Sequence, residues 1–297
     1  MAKLIYSEKY QVDIGAHVFP TRKYKLIKER LIKEGPVKEK DFTAPQPAGD
    51  EDILLVHTPD YLRKLKTGNL NAQEILKLEL PYSPWLVEAS LICVGGSILA
   101  AAAALTDGVG MHIGGGFHHA FPDHGEGFCV LNDIAVAIRK MQKEKKIKKA
   151  MTIDCDLHQG NGTAAIFRND QSVFTFSIHQ ENNYPAVKPP SSLDIGLADG
   201  AGDQEYLMQL EKNIPEIIKK FQPELAVYVA GADVYKDDLL GGLSLTIGGL
   251  KKRDQLIKKI CRENNLPVMI VLAGGYARDV GDTVEIHGNT VKTFVTG

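Results

Sequence analysis

The sequence predicts an α/β fold, a single domain over residues 1–297 in which a central, mainly parallel sheet is flanked by helices. Three observations point there. From Val109 onward, short apolar runs alternate with longer stretches of helical periodicity, the rhythm of βαβ units. The runs are continuously apolar rather than alternating, as strands covered on both faces should be. Five successive runs end in Gly, His, Asp or Tyr, so flexible and polar residues collect at the sheet edge where open parallel sheets bind ligands.

In chain order, the first ten residues lack the apolar stretch that a secretory signal needs. Residues 35–52, rich in Pro, Lys and acidic side chains, read as an exposed loop or lid edge. Trp85–Leu105 has the length of a membrane span, with Glu88 its one charged residue. Its Ala content, Gly95 and Gly96, and the polar loops that follow favour a helix buried against the sheet. The predicted strands are Val109–Ile113, Ala150–Ile153, Val173–Ile178, Leu225–Ala230 and Pro267–Ala273, with helices at Asn132–Lys145, Gln204–Lys220 and Leu250–Asn264. The lysines of 143–149 read as the solvated end of a helix.

Composition narrows the function. A net charge of −2 gives no reason to expect a nucleic-acid backbone or an anionic membrane as partner. Four scattered cysteines, Cys93, Cys129, Cys155 and Cys261, form no CxxC pair and suit a reducing, cytoplasmic setting.

The strand endings carry the chemistry. Asp156 and His158 stand two residues apart, so on extended backbone both face one ion. Asp233, at another strand end, offers a third ligand. Three N/O ligands with an open position describe a catalytic rather than a structural metal site, and hence a metal-dependent hydrolase. The bland alternative is that Asp154 and Asp156 merely cap helices or accept backbone hydrogen bonds. His118 and His119 follow three glycines, which lets both rings turn into one cleft, with Asp154 and Asn161 available to orient them. Tyr276, after Gly274-Gly275, offers an uncharged donor to a developing oxyanion.

Six segments together resemble the zinc-dependent histone deacetylase superfamily, which includes acetylpolyamine amidohydrolases: Gly114–Ala120, Gly125–Asp133, Asp154–Gly162, Ala230–Asp233, Leu240–Ser244 and Ala273–Tyr276. They occur in the family's order, with weaker likeness from His17 and His57. The resemblance implies an arginase–deacetylase fold and one Zn2+ on Asp156, His158 and Asp233. It implies that His119, backed by Asn161, is the general base and acid, and that His118, backed by Asp154, is its electrostatic partner. Tyr276 would polarise the acyl carbonyl. Phe128 would wall a tunnel in which the Gly127 carbonyl accepts the substrate N–H, with Tyr184 a candidate for the opposite wall. A structural K+ is implied among Asp154, the carbonyls of Asp156 and His158, Ser177 and the Ile178 carbonyl. Gln159 and Asn161 replace the His and Asp of class I enzymes and look like class IV and related prokaryotic members; a neutral Asn161 should stabilise a His119 cation less. The implied substrate is an acylated lysine, in a protein or peptide, or another acylated amine, with acyl length open. A two-metal ureohydrolase using Asp237 and Asp238, and a non-enzymatic acyl-lysine reader, are the competing readings.

Overall fold

The computed structural model describes residues 3–35 and 37–295. Its strands are β1 (Lys3–Ile5), β2 (Phe42–Thr43), β3 (Val109–His112), β4 (Ala150–Asp154), β5 (Val173–Gln180), β6 (Leu193–Leu197), β7 (Leu225–Val229) and β8 (Val268–Val271). They form one sheet in the order β2-β1-β3-β8-β7-β4-β5-β6, every neighbouring pair parallel. The helices are α1 (Lys23–Glu34), α2 (Asp50–Ile53), α3 (Pro59–Thr67), α4 (Ala72–Leu78), α5 (Pro84–Asp107), α6 (Asp133–Lys143), α7 (Asn161–Phe167), α8 (Asp203–Phe221), α9 (Ile247–Glu263) and α10 (Val280–Val295). After β3 the chain skips two places to β4, and β8 and β7 later fill the gap. The four central strands therefore present their carboxyl ends side by side, at the kind of switch in strand order where such sheets open a crevice.

The continuous apolar runs are explained by burial on both faces. Val227 and Val229 of β7 pack toward α5 and α6, while Ala226 and Tyr228 pack with residues of α8, α9 and α10. Trp85–Leu105 lies within α5, which packs on β1, β3, β7, β8 and α6. Gly110 permits that approach: a Cβ there would fall 1.9 Å from the Ala100 carbonyl oxygen. On the other face, the fully buried Arg253 of α9 donates to the carbonyls of Gly231 (2.6 Å) and Cys155 (3.4 Å) and pairs with Asp254. Its guanidinium thus ties together the backbone just beyond β4 and β7.

Of the segment 35–52, Pro36 lies outside the described residues, and 37–52 hold more regular structure than a lid edge. Phe42–Thr43 pairs with β1 as an edge strand, and α2 begins at Asp50. Two residues are too few to show strand periodicity, which also hid the three-residue β1. Thr246 caps α9 through the Gly249 N–H (2.9 Å), starting the helix three residues before Leu250.

Gly110→Ala forces α5 off the sheet. It should lower stability by about 1–3 kcal/mol in denaturant unfolding, the usual cost of overpacking, with Gly248→Ala, where the nearest atom is 3.6 Å away, as the tolerant control. The buried His57 supplies a second test. Its Nε2 accepts the Asn132 N–H (3.0 Å), and burial pushes its imidazole down to about 4. The unfolded chain then takes up a proton that the folded chain refuses, so this stability is complete above pH ~6.5 and is lost as pH falls toward 4. His57→Gln should flatten the pH dependence of unfolding in that window.

Candidate active site

β4 runs straight into Asp154-Cys155-Asp156-Leu157-His158. The Cys155 N–H bonds the Val229 carbonyl (3.0 Å), carrying the strand geometry one residue further. Alternation sends Cys155 and Leu157 into the core and the polar residues into the cleft. Asp156 accepts the His158 N–H on Oδ1 (3.0 Å) and the Gly274 N–H on Oδ2 (2.8 Å). Asp233 accepts the Leu157 N–H on Oδ1 (3.0 Å). Its Oδ2 is buried without a hydrogen bond and faces His158 Nδ1 at 3.3 Å, while Asp156 Oδ1 lies 3.2 Å from the same nitrogen. One ligand atom from each of Asp156, His158 and Asp233 lies within 4.8 Å of the others, the one such group among the described residues.

This cluster fits a divalent cation. Its donors are two carboxylates and an imidazole, and one carboxylate oxygen is otherwise orphaned. Gly274 keeps the space clear: a Cβ there would meet Asp233 Oδ2 at 2.0 Å. Burial and the neighbouring Asp156 push the Asp233 carboxyl up to about 6. Burial would lower the His158 imidazole, but the close Asp156 and Asp233 carboxylates, both within 3.3 Å of Nδ1, lift it to about 10. The site attracts positive charge.

The histidine pair is held from behind. After β3 the chain turns through Gly115 (φ +71°) and Gly116 (φ +87°), the left-handed region that favours glycine. The buried Asp133 accepts the Gly116 N–H (3.1 Å), the Phe117 N–H (2.8 Å) and the Ser97 hydroxyl (2.5 Å). His118 Nδ1 then meets Asp154 Oδ2 at 2.7 Å, His118 Nε2 meets His119 Nε2 at 3.1 Å, and His119 Nδ1 meets Asn161 Oδ1 at 2.6 Å. Burial lowers both rings. The charges of Asp154 and Asp156 overcome it at His118 and raise that imidazole to about 9. At His119 nothing does, and repulsion from His118 and His158 adds to burial, holding it well below the usual range. One proton arrangement satisfies all three contacts: a cationic His118 donates to Asp154 and to His119, and a neutral His119 donates to Asn161.

Tyr276 closes the site. Its N–H bonds Asp238 Oδ2 (2.7 Å), and its carbonyl accepts the Leu239 N–H (3.1 Å). Burial, then the charges of Asp233 and Asp156, keep its phenol neutral. Tyr276 lines an inner cavity of about 30 Å³ together with His118, His119, Asp156 and His158. It also lines an outer mouth of about 170 Å³ with Gly127, Phe128, Tyr184, Leu240 and Glu79. Gly127 (φ +51°) and Phe128 (φ +66°) form a turn whose N–H groups bond the Lys77 and Leu78 carbonyls (3.1 and 3.0 Å). The Tyr184 ring stands edge-on to His119 at 5.0 Å.

A model of the histone deacetylase domain matches residues 17–289. The chain belongs to the histone deacetylase family. It is 38% identical to an uncharacterised protein of Picosynechococcus sp. over 96% of this chain and 95% of that protein. It is 32% identical to histone deacetylase 2 of Arabidopsis thaliana (95% and 77%) and 27% identical to the acetoin utilization protein AcuC of Staphylococcus xylosus (87% and 73%). The crystal structure of the HDA15 HD domain superposes with a TM-score of 0.82 at 21% identity over all of this chain and 91% of that one, which shows the shared fold. Membership makes this protein a deacetylase-type hydrolase.

In this deacetylase the structure brings Asp154, Asp156, His158, Asp233, His118, His119, Asn161 and Tyr276 to one crevice. Asp237 stays half-exposed, and the Asp238 oxygens hold the Leu240 and Tyr276 N–H groups, so neither joins the metal cluster as a two-metal site would require. Ser177 stands opposite Asp154 in register and bonds His179 Nδ1 (2.9 Å). The Gly127 carbonyl already accepts the Cys129 thiol (3.3 Å).

Lys23 was invisible to pattern reading, because a lysine at a helix start reads as solvated. It is fully buried, donates to the Ala273 carbonyl (2.7 Å) and sits 5.6 Å from the Tyr276 ring centre. Burial pulls its ammonium down to about 8 against the attraction of Asp233, Asp156 and Asp238.

Calorimetric titration with a divalent metal should find one tight site per chain. Asp233→Ala and Gly274→Ala should each abolish it. Asp154→Asn, acting through His118, should weaken it by no more than about 10–100-fold. Full affinity in Asp233→Ala would contradict the assignment.

Proposed function

We propose that this protein is a zinc-dependent deacylase that hydrolyses the amide of an acylated lysine side chain or a similar acylated amine. One observation carries the reading: Asp156 and His158 of the three-ligand cluster, the His118–His119 pair and Tyr276 line one small cavity, with Asp233 directly behind at His158. Asp156, His158 and Asp233 would hold the metal, which when bound supplies Lewis acidity toward the acyl carbonyl and the attacking water.

The protein's own groups do the rest. The stem of the acylated amine passes Phe128, with Tyr184 and Leu240 across the mouth. The Gly127 carbonyl, at the mouth and accepting the Cys129 thiol, would share its second lone pair with the substrate N–H. As substrate and water enter, the His118 Nε2–H gives up its bond to His119 for the Asp156 carboxylate, 3.7 Å away, and the freed His119 Nε2 takes the proton from the attacking water while Nδ1 stays on Asn161. The Tyr276 hydroxyl donates to the carbonyl oxygen as charge gathers there. His119 then passes its proton to the leaving nitrogen, and a carboxylate and a free amine result. His118, locked to Asp154, remains charged throughout, and its charge makes the proton held by His119 easier to pass on to the leaving nitrogen. The inner cavity, about 30 Å³, suits an acetyl group better than a long acyl chain. The same reading puts K+ among Asp154, the Asp156 and His158 carbonyls, Ser177 and Ile178, supported by the register of Asp154 and Ser177. Both Asp154 oxygens already hold partners, His118 Nδ1 and the Asp156 N–H, so the ion would share them.

The deciding experiment is turnover on a panel of acyl-lysine peptides and acetylpolyamines, from acetyl to myristoyl, with two variants. Tyr276→Phe should lower kcat by about 10²–10³-fold and His119→Ala by about 10²–10⁴-fold, with acetyl the preferred acyl group. Full activity in both variants would sink the assignment.

A further inference from the structure

His119 must carry positive charge while it holds the water's proton, yet its Nδ1 partner is the neutral amide of Asn161. An amide oxygen orients the ring but brings no charge of its own. The structure continues the chain one residue further. Asn161 Nδ2 donates to Glu126 Oε1 at 2.6 Å, and the Tyr184 hydroxyl donates to the same oxygen at 3.0 Å. Glu126 Oε2 faces His124 Nε2 at 3.3 Å, and His124 Nδ1 meets Asp123 Oδ1 at 2.7 Å. Backbone bonds in both directions between Glu126 and Cys129 (3.1 and 2.9 Å) fix the carboxylate in the loop that carries Phe128.

Only about a fifth of the Glu126 side chain is exposed, so its charge is poorly screened. Burial raises its carboxyl, but hydrogen bonds from His124, Asn161 and Tyr184 outweigh this and hold it below the usual range, leaving it ionised at neutral pH. A carboxylate accepting from one end of an amide polarises the other end, so the Asn161 oxygen becomes a stronger acceptor for the His119 Nδ1 proton.

We propose that Glu126 is a positioning residue that acts on His119 through Asn161: its carboxylate polarises the amide toward the developing imidazolium and, through Tyr184, holds an aromatic edge against the same ring. The chain His119–Asn161–Glu126 does in two links what a carboxylate directly on the imidazole does in one. The proposal rests on the deacylase reading for its kinetic consequence, but the coupling itself is a property of the resting protein.

The test is a relocation of the charge. Glu126→Gln keeps the shape and removes the charge; it should lower kcat by roughly 10- to 100-fold with KM within about twofold, at unchanged metal content and melting temperature. Asn161→Asp alone sets two carboxylates against each other and should also lose activity. In the double variant E126Q/N161D the carboxylate stands directly on His119 and the Gln amide donates to it, so kcat should return to within a few-fold of wild type. A purely structural Glu126 predicts instead that the double variant is at least as impaired as the worse single one. A readout independent of turnover is the proton on His119 Nδ1, seen by NMR, which should move upfield in Glu126→Gln and return in the double variant. Unchanged kcat and an unchanged proton resonance in Glu126→Gln would overturn the proposal. If wild type hydrolyses no acyl amine, the deacylase reading fails while the resonance still decides the coupling.

Discussion

Three carboxylates, Asp154, Asp156 and Asp233, are buried together where β4 and β7 end. Desolvating them uncompensated would cost far more than a fold can spare, and much of the surrounding structure answers that charge. Backbone N–H groups of Asp156, Leu157, His158 and Gly274 bond them. The cationic His118 sits on Asp154, and the buried Lys23 ammonium lies within their field. Arg253 takes up the carbonyls of Cys155 and Gly231 just behind. One oxygen, Asp233 Oδ2, is buried without a hydrogen bond, 3.3 Å from His158 Nδ1. A divalent cation would complete the electrostatics that the fold leaves open.

The same field separates two adjacent histidines. His118 and His119 are identical in sequence terms and share one loop, yet one is held protonated and the other neutral, because Asp154 backs the first and an amide backs the second. Two titratable groups pushed apart by their surroundings can take an acid–base role and an electrostatic role at one pH. Parallel strands make this possible: each of β3, β4, β7 and β8 delivers its loop to the same edge, so residues more than 100 positions apart, such as Asp156 and Gly274, come into hydrogen-bond contact.

The parts of this arrangement that were legible in the sequence are those with a local pattern. Asp156 and His158 announce themselves by the two-residue repeat of a strand, and the glycine run before His118 by the freedom it gives the backbone. The continuous apolar runs at Ala150–Ile153 and Leu225–Ala230 marked doubly covered strands. What the sequence did not disclose depends on tertiary contact alone. Lys23 looks solvated until α1 is laid under the Tyr276 loop. Asp238 looked like a spare metal ligand until its oxygens were found on backbone N–H groups. Glu126 was visible only as a motif letter, since nothing local joins it to Asn161, 35 residues away. β1 and β2 are too short to carry a period and exist because an edge of the sheet is there to pair with.

The central claim is that one metal ion sits on Asp156, His158 and Asp233, with Asp154 reserved for His118. X-ray absorption spectroscopy of the zinc-loaded protein tests it most directly. The account predicts an inner shell of nitrogen and oxygen only, with a single imidazole and no metal–metal scattering. A second metal at short distance, a sulfur ligand, or two imidazoles on the ion would contradict it.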